Sequence, residues 1–428
     1  MLDANGKRML AYVQEVVDVE PLFFCQTITE EDGSKKFLPI LDENGNKKYA
    51  DAIEKIHVLG WTLIANKGEF KPGDKCVFFE IDSKIPEGKF FEADGKTDVF
   101  EFLAKRNYCV KTLKYNKFGI WGQGLAIPLS KVGLSDDLEL NTDLTETLGV
   151  TYSIKEDNYR KSDPRKQAVA SYKAKHKKFF NNPLVKKLMR FKFFRWLFLL
   201  PMNKGKRDMK KAFPSEFVSK TDEERVQNMP WILEDKTPLI ATEKIDGTST
   251  TWLMVRKGKN KFEFYVCSRN IRMYKPDQEC WNGADNIYWE NAIKYDVENQ
   301  FKKYLKEHPE LKWVCIQGES YGEGWQGNPL KLKGHYFAAF NFKDSEHGRW
   351  GSVEAEALLA SWDTPIPWVP ILDTEFVLPD TVEELLNIAT ANSSVNPNVL
   401  REGIVFRGKD GQLSFKAVSP EYLEKHNA

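Results

Sequence analysis

Lys244 is followed two residues later by Asp246 and then by Gly247, in the stretch Thr242-Glu243-Lys244-Ile245-Asp246-Gly247-Thr248. A lysine amine is a nucleophile only when neutral, and its ordinary pKa is about 10.4. A desolvated pocket and nearby cations lower that value, and a divalent metal is the strongest such cation. Asp246 and, far downstream, Glu402 are carboxylates suited to hold a metal through its waters. Taken singly, each reads as an ordinary surface acid. Arg269, in Cys267-Ser268-Arg269-Asn270, follows an apolar run and can fork onto a phosphate or a sugar hydroxyl. Glu319 can accept hydrogen bonds from ribose hydroxyls. Phe340 offers a ring to a base, and its pattern fits a core position equally well. Lys416, in Leu413-Ser414-Phe415-Lys416, can hold an α-phosphate as a point charge and help expel pyrophosphate. A Lys-x-Asp-Gly tetrapeptide alone is weak, since ordinary residue usage produces it in about one chain in ten. The ordered set is much rarer.

Such groups need rigid elements to position them. From about residue 215 the chain alternates element types. Thr248 to Arg256 and Phe262 to Cys267 flank Lys257-Gly258-Lys259-Asn260, the pattern of a β-hairpin. Asp285 to Lys306 carries apolar residues at rough helical period, and Trp313 to Gln317 reads as a strand ending at Gly318-Glu319. Thr381-Val382-Glu383-Glu384 is a capping-box start to a short helix. This mixture predicts an α+β domain of antiparallel sheets flanked by helices over 216–428. Residues 1–150 read as β-rich. Met9–Val17, Lys75–Ile81, Cys109–Leu113 and Leu125–Leu129 are strand-like runs between Gly-rich turns, which suits an OB-type barrel that binds nucleic acid. A purely structural small barrel is the plainer reading.

Composition bounds the rest. The 428 residues suggest two domains or three, and 41% hydrophobic with 13% aromatic residues is enough for real cores. The net charge of +1 hides an asymmetry: residues 160–211 hold 18 Lys/Arg against 2 Asp, a net of +16, which leaves −15 for the remainder. A basic block of this size suits a polyanionic partner, either nucleic acid or an anionic membrane, or else a solvated linker. Within this connector, 151–215, Pro183 and Pro201 bracket Leu184, Leu188, Phe191, Arg195 and Phe198 at helical spacing. An amphipathic helix docked on the next domain is the base-rate expectation; a nucleic-acid-binding face or a membrane-surface helix are the alternatives. The greasy run Phe191–Leu200 is too short to span a bilayer, so no transmembrane segment is expected. The N-terminus has no apolar signal core, and six scattered cysteines without metal-ligand spacing point to reduced thiols. A cytoplasmic location follows, or a nuclear one in a eukaryote.

Glu243-Lys244-Ile245-Asp246-Gly247, Cys267-Ser268-Arg269-Asn270, Gln317-Gly318-Glu319, Phe340-Asn341-Phe342, Arg401-Glu402-Gly403-Ile404-Val405-Phe406-Arg407 and Leu413-Ser414-Phe415-Lys416 resemble motifs I, Ia, III, IIIa, IV and V of covalent nucleotidyltransferases. That group includes DNA ligases, RNA ligases and mRNA capping enzymes. The Ser-Arg-Asn form, the run Gly318–Asn328 and the stretch Lys220-Thr221-Asp222-Glu223-Glu224-Arg225 ahead of motif I are most similar to RNA ligases. With the N-terminal barrel, the chain resembles ATP-dependent, nick-sealing RNA ligases that carry an OB domain before the catalytic domain.

The resemblance implies ATP and Mg²⁺ or Mn²⁺ as cofactors, a nicked RNA or RNA/DNA duplex as partner, and a role in RNA repair. It implies that Lys244 becomes lysyl–AMP, that Glu243 contacts the adenine, Glu319 the ribose and Phe340 the base. Asp246 and Glu402 then hold water-bridged metal, Lys416 the α-phosphate, and Arg269 the nucleotide or the 3′-hydroxyl end. Two departures stand out. Ser414 takes the place where many relatives carry a first motif V lysine, so the triphosphate contacts of Ser414 and Lys416 must be shared differently. Asn341 stands where Asp often follows the motif IIIa Phe. All pocket residues fall within 213–419, so lysine adenylylation is expected to need no part of the barrel. The competing readings are a DNA ligase, a GTP-using capping enzyme, and a non-catalytic nucleic-acid-binding protein on a ligase fold. The first two usually place an OB domain after motif V, and only nine residues follow Ser419 here.

Overall fold

A computed structural model of the chain describes residues 1–3, 7–29, 35–87, 103–153, 179, 182, 185, 188, 189, 211–273, 275 and 286–426. The basic connector and its expected helix lie almost wholly outside the described residues.

The N-terminal part is a five-stranded antiparallel sheet. Its strands are β1 (Ala11–Phe23), β2 (Tyr49–Val58), β3 (Trp61–Asn66), β4 (Lys75–Phe79) and β5 (Leu125–Pro128), in the order β5-β4-β1-β2-β3. Strand β1 is long because it serves two neighbours: Ala11–Glu15 pair with β4, and Val16–Phe23 pair with β2. The register slips between Val16 and Asp18, and the unpaired Val17 turns out to solvent. A bulge at that point bends a strand and increases its twist, so the edge strands β3 and β5 come together and the sheet curls into a barrel. Trp61, Phe78, Tyr12 and Leu63 fill its interior. The strand-like runs read from sequence are present with shifted ends. Cys109–Leu113 is the largest change: the strand there is Thr112–Tyr115, hairpinned to Ile120–Gln123.

The C-terminal part contains two sheets. The elements needed below are β6 (Glu224–Arg225), β7 (Leu239–Lys244), β8 (Thr248–Gly258), β9 (Lys261–Ser268), β10 (Trp313–Gly322), β11 (His335–Asp344), β12 (Ile371–Phe376), β13 (Gly403–Arg407) and β14 (Ser414–Val418). One sheet runs β9-β8-β10-β11 with short strands at both edges; the other runs β6-β14-β13-β7-β12. Helices α1 (Ile287–Lys294), α2 (Val297–Glu307) and α3 (Ser352–Ala360) cover one face of the first sheet, burying Trp252, Phe301, Phe337 and Phe342. Phe213 and Val218 pack on its other face. Helix α4 (Val382–Ala389) backs the second sheet on Phe406 and Phe415, and its Thr381–Glu384 capping box is formed in both directions. Helix α5 (Pro420–His426) ends the described chain.

Two expectations need correction. The helical stretch 285–306 is two helices, broken at Asp296, whose φ of 48° is left-handed. Aspartate tolerates that conformation better than most residues, so periodicity alone hides the break. Strand β10 does not stop at Gly318-Glu319 but continues to Gly322. Gly318 is there for close packing, because a Cβ would collide with the Phe337 ring and the Ala338 carbonyl. Pairing also crosses the expected boundaries: Thr151–Tyr152 pair with Ser83–Lys84 on the barrel side, and Lys211–Ala212 pair with Ile271–Arg272 of the first sheet.

The two parts are joined by a buried polar network. Glu80 of the barrel accepts from Tyr12 Oη at 3.0 Å, Asn228 Nδ2 at 2.7 Å and Arg8 Nε at 2.9 Å, and Trp61 Nε1 donates to Asn228 Oδ1 at 2.6 Å. Val418 and Leu423 complete the barrel's own core. The described cysteines are free and all but Cys25 are buried; burial pushes the thiols of Cys76, Cys267 and Cys315 up to about 12. Among the described residues no helix is long and apolar enough to cross a membrane.

Candidate active site

Lys244 ends β7, and the turn Asp246-Gly247 leads directly into β8 of the other sheet. Only glycine fits that turn, since a Cβ on Gly247 would lie 2.5 Å from the Ser320 carbonyl oxygen. The lysine therefore stands at the mouth of the cleft between the sheets. Register decides what shares its face. Thr242 pairs with Val405, and Val405 with Lys416. Paired residues point the same way and side chains alternate along a strand, so Lys244 and Lys416 lie on one face. Arg225, opposite Lys416 in the parallel pair β6–β14, lies there too. Ser414 shares the face two residues before Lys416, where its hydroxyl accepts from Arg407 Nε at 3.3 Å.

Lys244 Nζ is 2.6 Å from Glu402 Oε2. Burial alone would lower the pKa of Lys244, but the charges of Glu402, Glu319 and Asp246 outweigh it and hold the pKa above its ordinary value. In this state the group is an ammonium ion. Burial, together with the Asp246 charge, raises Glu402. Glu319, on β10 across the cleft, is pushed up to about 8, first by burial and then by Asp246 and Glu402. Three carboxyl groups thus converge on one lysine. Among the described residues, no group of three or more His, Cys, Asp or Glu side chains is arranged to hold a metal ion. Carboxylates such as Asp246 and Glu402 are the side-chain type that holds hydrated Mg²⁺.

Lys416 and Arg269 come from different sheets and meet at one carboxylate that the spacing arguments did not single out. Asp222 accepts from Lys416 Nζ and from Arg269 Nη2, each at 2.9 Å. Burial works against its ionisation, but Lys416, Arg8 and Arg269 hold the carboxyl well below its ordinary range. Burial, with Arg8, Arg225 and Lys244, brings Lys416 down to about 8 against the pull of Asp222. The effect of Arg8 on both groups places the barrel end of the chain at this pocket. The one available signal was the acidic run Asp222-Glu223-Glu224, whose partners lie too far along the chain for spacing to reveal them.

Two further residues lie beside this cluster. Glu243 is 1% exposed, and its carboxylate accepts from Ser393 Oγ at 2.5 Å and Ser394 N at 2.7 Å. Strand alternation turns it to the other side of β7 from Lys244, where its side chain braces the 393–396 loop. Phe340 is partly buried against the first sheet's core, with the Arg407 guanidinium 5.8 Å from its ring centre and donating to its carbonyl.

The raised pKa of Glu319 carries a stability prediction. Between pH of about 4.5 and 8 the folded protein keeps a proton on this carboxyl that the unfolded chain has released. Stability from this group is therefore full below about 4.5 and is lost as pH rises toward 8. Glu319→Gln removes that loss. It is expected to stabilise the ligand-free protein at pH 8 by on the order of 1–2 kcal/mol, discounted for partial exposure, and by little at pH 4.5. Thermal melts of both proteins at the two pH values check this; a difference independent of pH would contradict it.

Comparison with known proteins bears on the whole arrangement. Residues 237–418 match the RNA ligase family model, and residues 44–129 match an OB-fold domain family. Sequence comparison with curated proteins finds no match. Among solved structures, Naegleria gruberi RNA ligase with PPi has a TM-score of 0.68 and 28% identity, covering 98% of this chain and 99% of that one. A mutant of the same ligase with AMP and Mn has a TM-score of 0.68 and 29% identity over the same shares. Another mutant, with ATP and Mn, has a TM-score of 0.68 and 28% identity, again covering 98% and 99%. With the ligase motifs gathered in one cleft and a likeness running the length of both chains, residues 237–418 form an RNA ligase domain, and an OB-fold domain stands ahead of it.

Proposed function

We propose that this ATP-dependent ligase seals nicks in RNA or RNA/DNA duplexes through a lysyl–AMP intermediate on Lys244, in RNA repair. The observation that carries the reading is the Lys244 amine held 2.6 Å from Glu402, in a cleft shared with Asp246, Glu319 and the Lys416–Asp222–Arg269 bridge. In this reading residues 1–150 are the nucleic-acid-binding barrel, 151–215 a basic connector and 216–428 the adenylylation domain.

Lys244 must first shed its proton. Asp246 and Glu402 would hold a divalent metal whose charge would offset theirs, which would withdraw the support that keeps the ammonium charged. The Lys244 nitrogen then forms a bond to the α-phosphorus of ATP while the bond to the β-phosphate oxygen breaks. Lys416 and Arg269 exchange Asp222 for phosphate oxygens, and Arg8 and Arg225 add positive charge at the leaving pyrophosphate. Such chemistry is mostly in-line positioning and charge stabilisation. The AMP passes to a 5′-phosphate end, and a 3′-hydroxyl attacks that end, joins the strands and releases AMP. The direct test is incubation with α-labelled ATP and a divalent metal, followed by a denaturing gel, and then by a nicked duplex. A protein that takes no label, or takes label but never closes a nick, would overturn the reading.

The barrel offers a surface suited to the duplex. Two hairpins, Cys25–Thr29 with Lys35–Pro39 and Thr112–Tyr115 with Ile120–Gln123, stand beside each other, joined by the Cys25 amide donating to the Lys117 carbonyl at 2.7 Å. Lys47 lies 4.3 Å from the Phe23 ring centre, Lys48 5.9 Å from Phe24, and Lys114 5.0 Å from Phe37 and 4.8 Å from Trp121. Replacing Lys47, Lys48 and Lys114 with Gln should weaken nick binding and flatten its dependence on log salt by up to about 3, near one for each phosphate no longer neutralised. Lysine adenylylation should be unchanged. Filter binding across a salt series measures the slope; an unchanged slope would move the duplex-binding surface to the basic connector.

A further inference from the structure

Helix α5 begins where the last motif ends, and its start is tied to the active site. Ser419 N donates to the Glu402 carbonyl at 2.9 Å, while Ser419 Oγ accepts from Thr390 Oγ1 at 3.0 Å and from Tyr422 N at 3.1 Å. This start fixes where the first turn points. Tyr422 is 4% exposed, its ring stacks on His426 with centres 4.2 Å apart, and its hydroxyl donates to Asp246 Oδ2 at 2.7 Å. The next two residues grip the barrel. Leu423 is buried in the barrel core, and the Glu424 carboxylate accepts from Lys114 N at 3.4 Å.

We propose that Tyr422 is a positioning residue for Asp246, and that α5 is thereby part of the active site. The inference rests on the reading of Asp246 as a carboxylate of the nucleotide and metal site. Among the described residues, Tyr422 makes the only side-chain hydrogen bond to Asp246. Asp246 sits in a turn between two sheets, where neither strand fixes its rotamer. A bond from a buried hydroxyl holds Oδ2 and leaves Oδ1 with no side-chain hydrogen bond among the described residues. Outer groups of this kind orient a metal's carboxylates, and losing one typically costs 10–100-fold in metal affinity or activity.

The test is a double-mutant cycle on lysyl–AMP formation, with Mn²⁺ binding to the nucleotide-free protein followed by electron paramagnetic resonance. Tyr422→Phe keeps the ring and its stack on His426 and removes only the hydroxyl. It should melt as wild type, form the adduct about tenfold more slowly and bind Mn²⁺ about tenfold more weakly. In an Asp246→Ala background the same change should cost nothing further, because the group it positions is gone. Unchanged Mn²⁺ binding in Tyr422→Phe, or losses that multiply in the double variant, overturn the proposal. Wild-type adduct formation by Asp246→Ala alone would instead overturn the reading of Asp246 on which it stands, a different result from either of those.

Discussion

Lys244→Ala is expected to take up no label from α-labelled ATP and to seal no unadenylated nick. The effect should be complete, because the Lys244 amine is the nucleophile of the proposed first step. Lys416, the other amine on that face, is bound to Asp222 at 2.9 Å. The same variant should still join strands that already carry a 5′-adenylate, since the last step uses the 3′-hydroxyl as nucleophile. Some loss is expected there too, as Glu402 loses the partner it holds at 2.6 Å and its raised pKa rises further. Gel assays on unadenylated and pre-adenylated nicks separate the two steps. Residual label on Lys244→Ala would assign the nucleophile elsewhere.

Glu402→Ala is expected to slow both adenylylation and sealing by about 10–100-fold, the loss typical of a group that acts through a metal's waters. Asp246→Ala should lose a similar amount. Glu402→Ala has a second signature. Glu402 is the largest of the charges that raise the pKa of Lys244, so its removal should lower that pKa. Whatever adenylylation remains should then reach its plateau at lower pH than in the wild type. Single-turnover rates across pH for both proteins test the magnitude and the direction together. Wild-type rates for both steps would rule out the metal role, and an unshifted profile would show that Lys244 does not feel this carboxylate.

Much of the site was legible from residue types in order. Lys244, Asp246, Glu319, Glu402, Lys416 and Arg269 each stand out in the sequence, and the structure gathers them in one cleft. Lys244, Asp246, Arg269 and Glu402 sit at the end of a strand or in a turn whose local sequence is distinctive, such as Ile245-Asp246-Gly247 or Arg401-Glu402-Gly403, while Glu319 and Lys416 lie within β10 and β14. The capping box at Thr381 and the hairpin from Thr248 to Ser268 were readable for the same reason: both are made by residues close along the chain. The mixed α+β class and the OB-type barrel followed from periodicities of that kind.

Tertiary structure alone decided the contacts between distant segments. Asp222 joins Arg269, 47 residues away, to Lys416, 194 residues away, and Tyr422 reaches Asp246 across 176 residues. Glu243 and Lys244 are neighbours, yet the pleat sends one to Ser393 and the other to Glu402. Arg8 and Leu423 show that barrel and ligase parts share a surface, which no spacing within either part reports. The division has a physical cause. Hydrophobic period and turn chemistry are local, so a sequence displays them directly. Which side chains finally touch depends on strand register and on how two sheets and a barrel pack, and a one-residue change in register would turn every one of these groups to the opposite face.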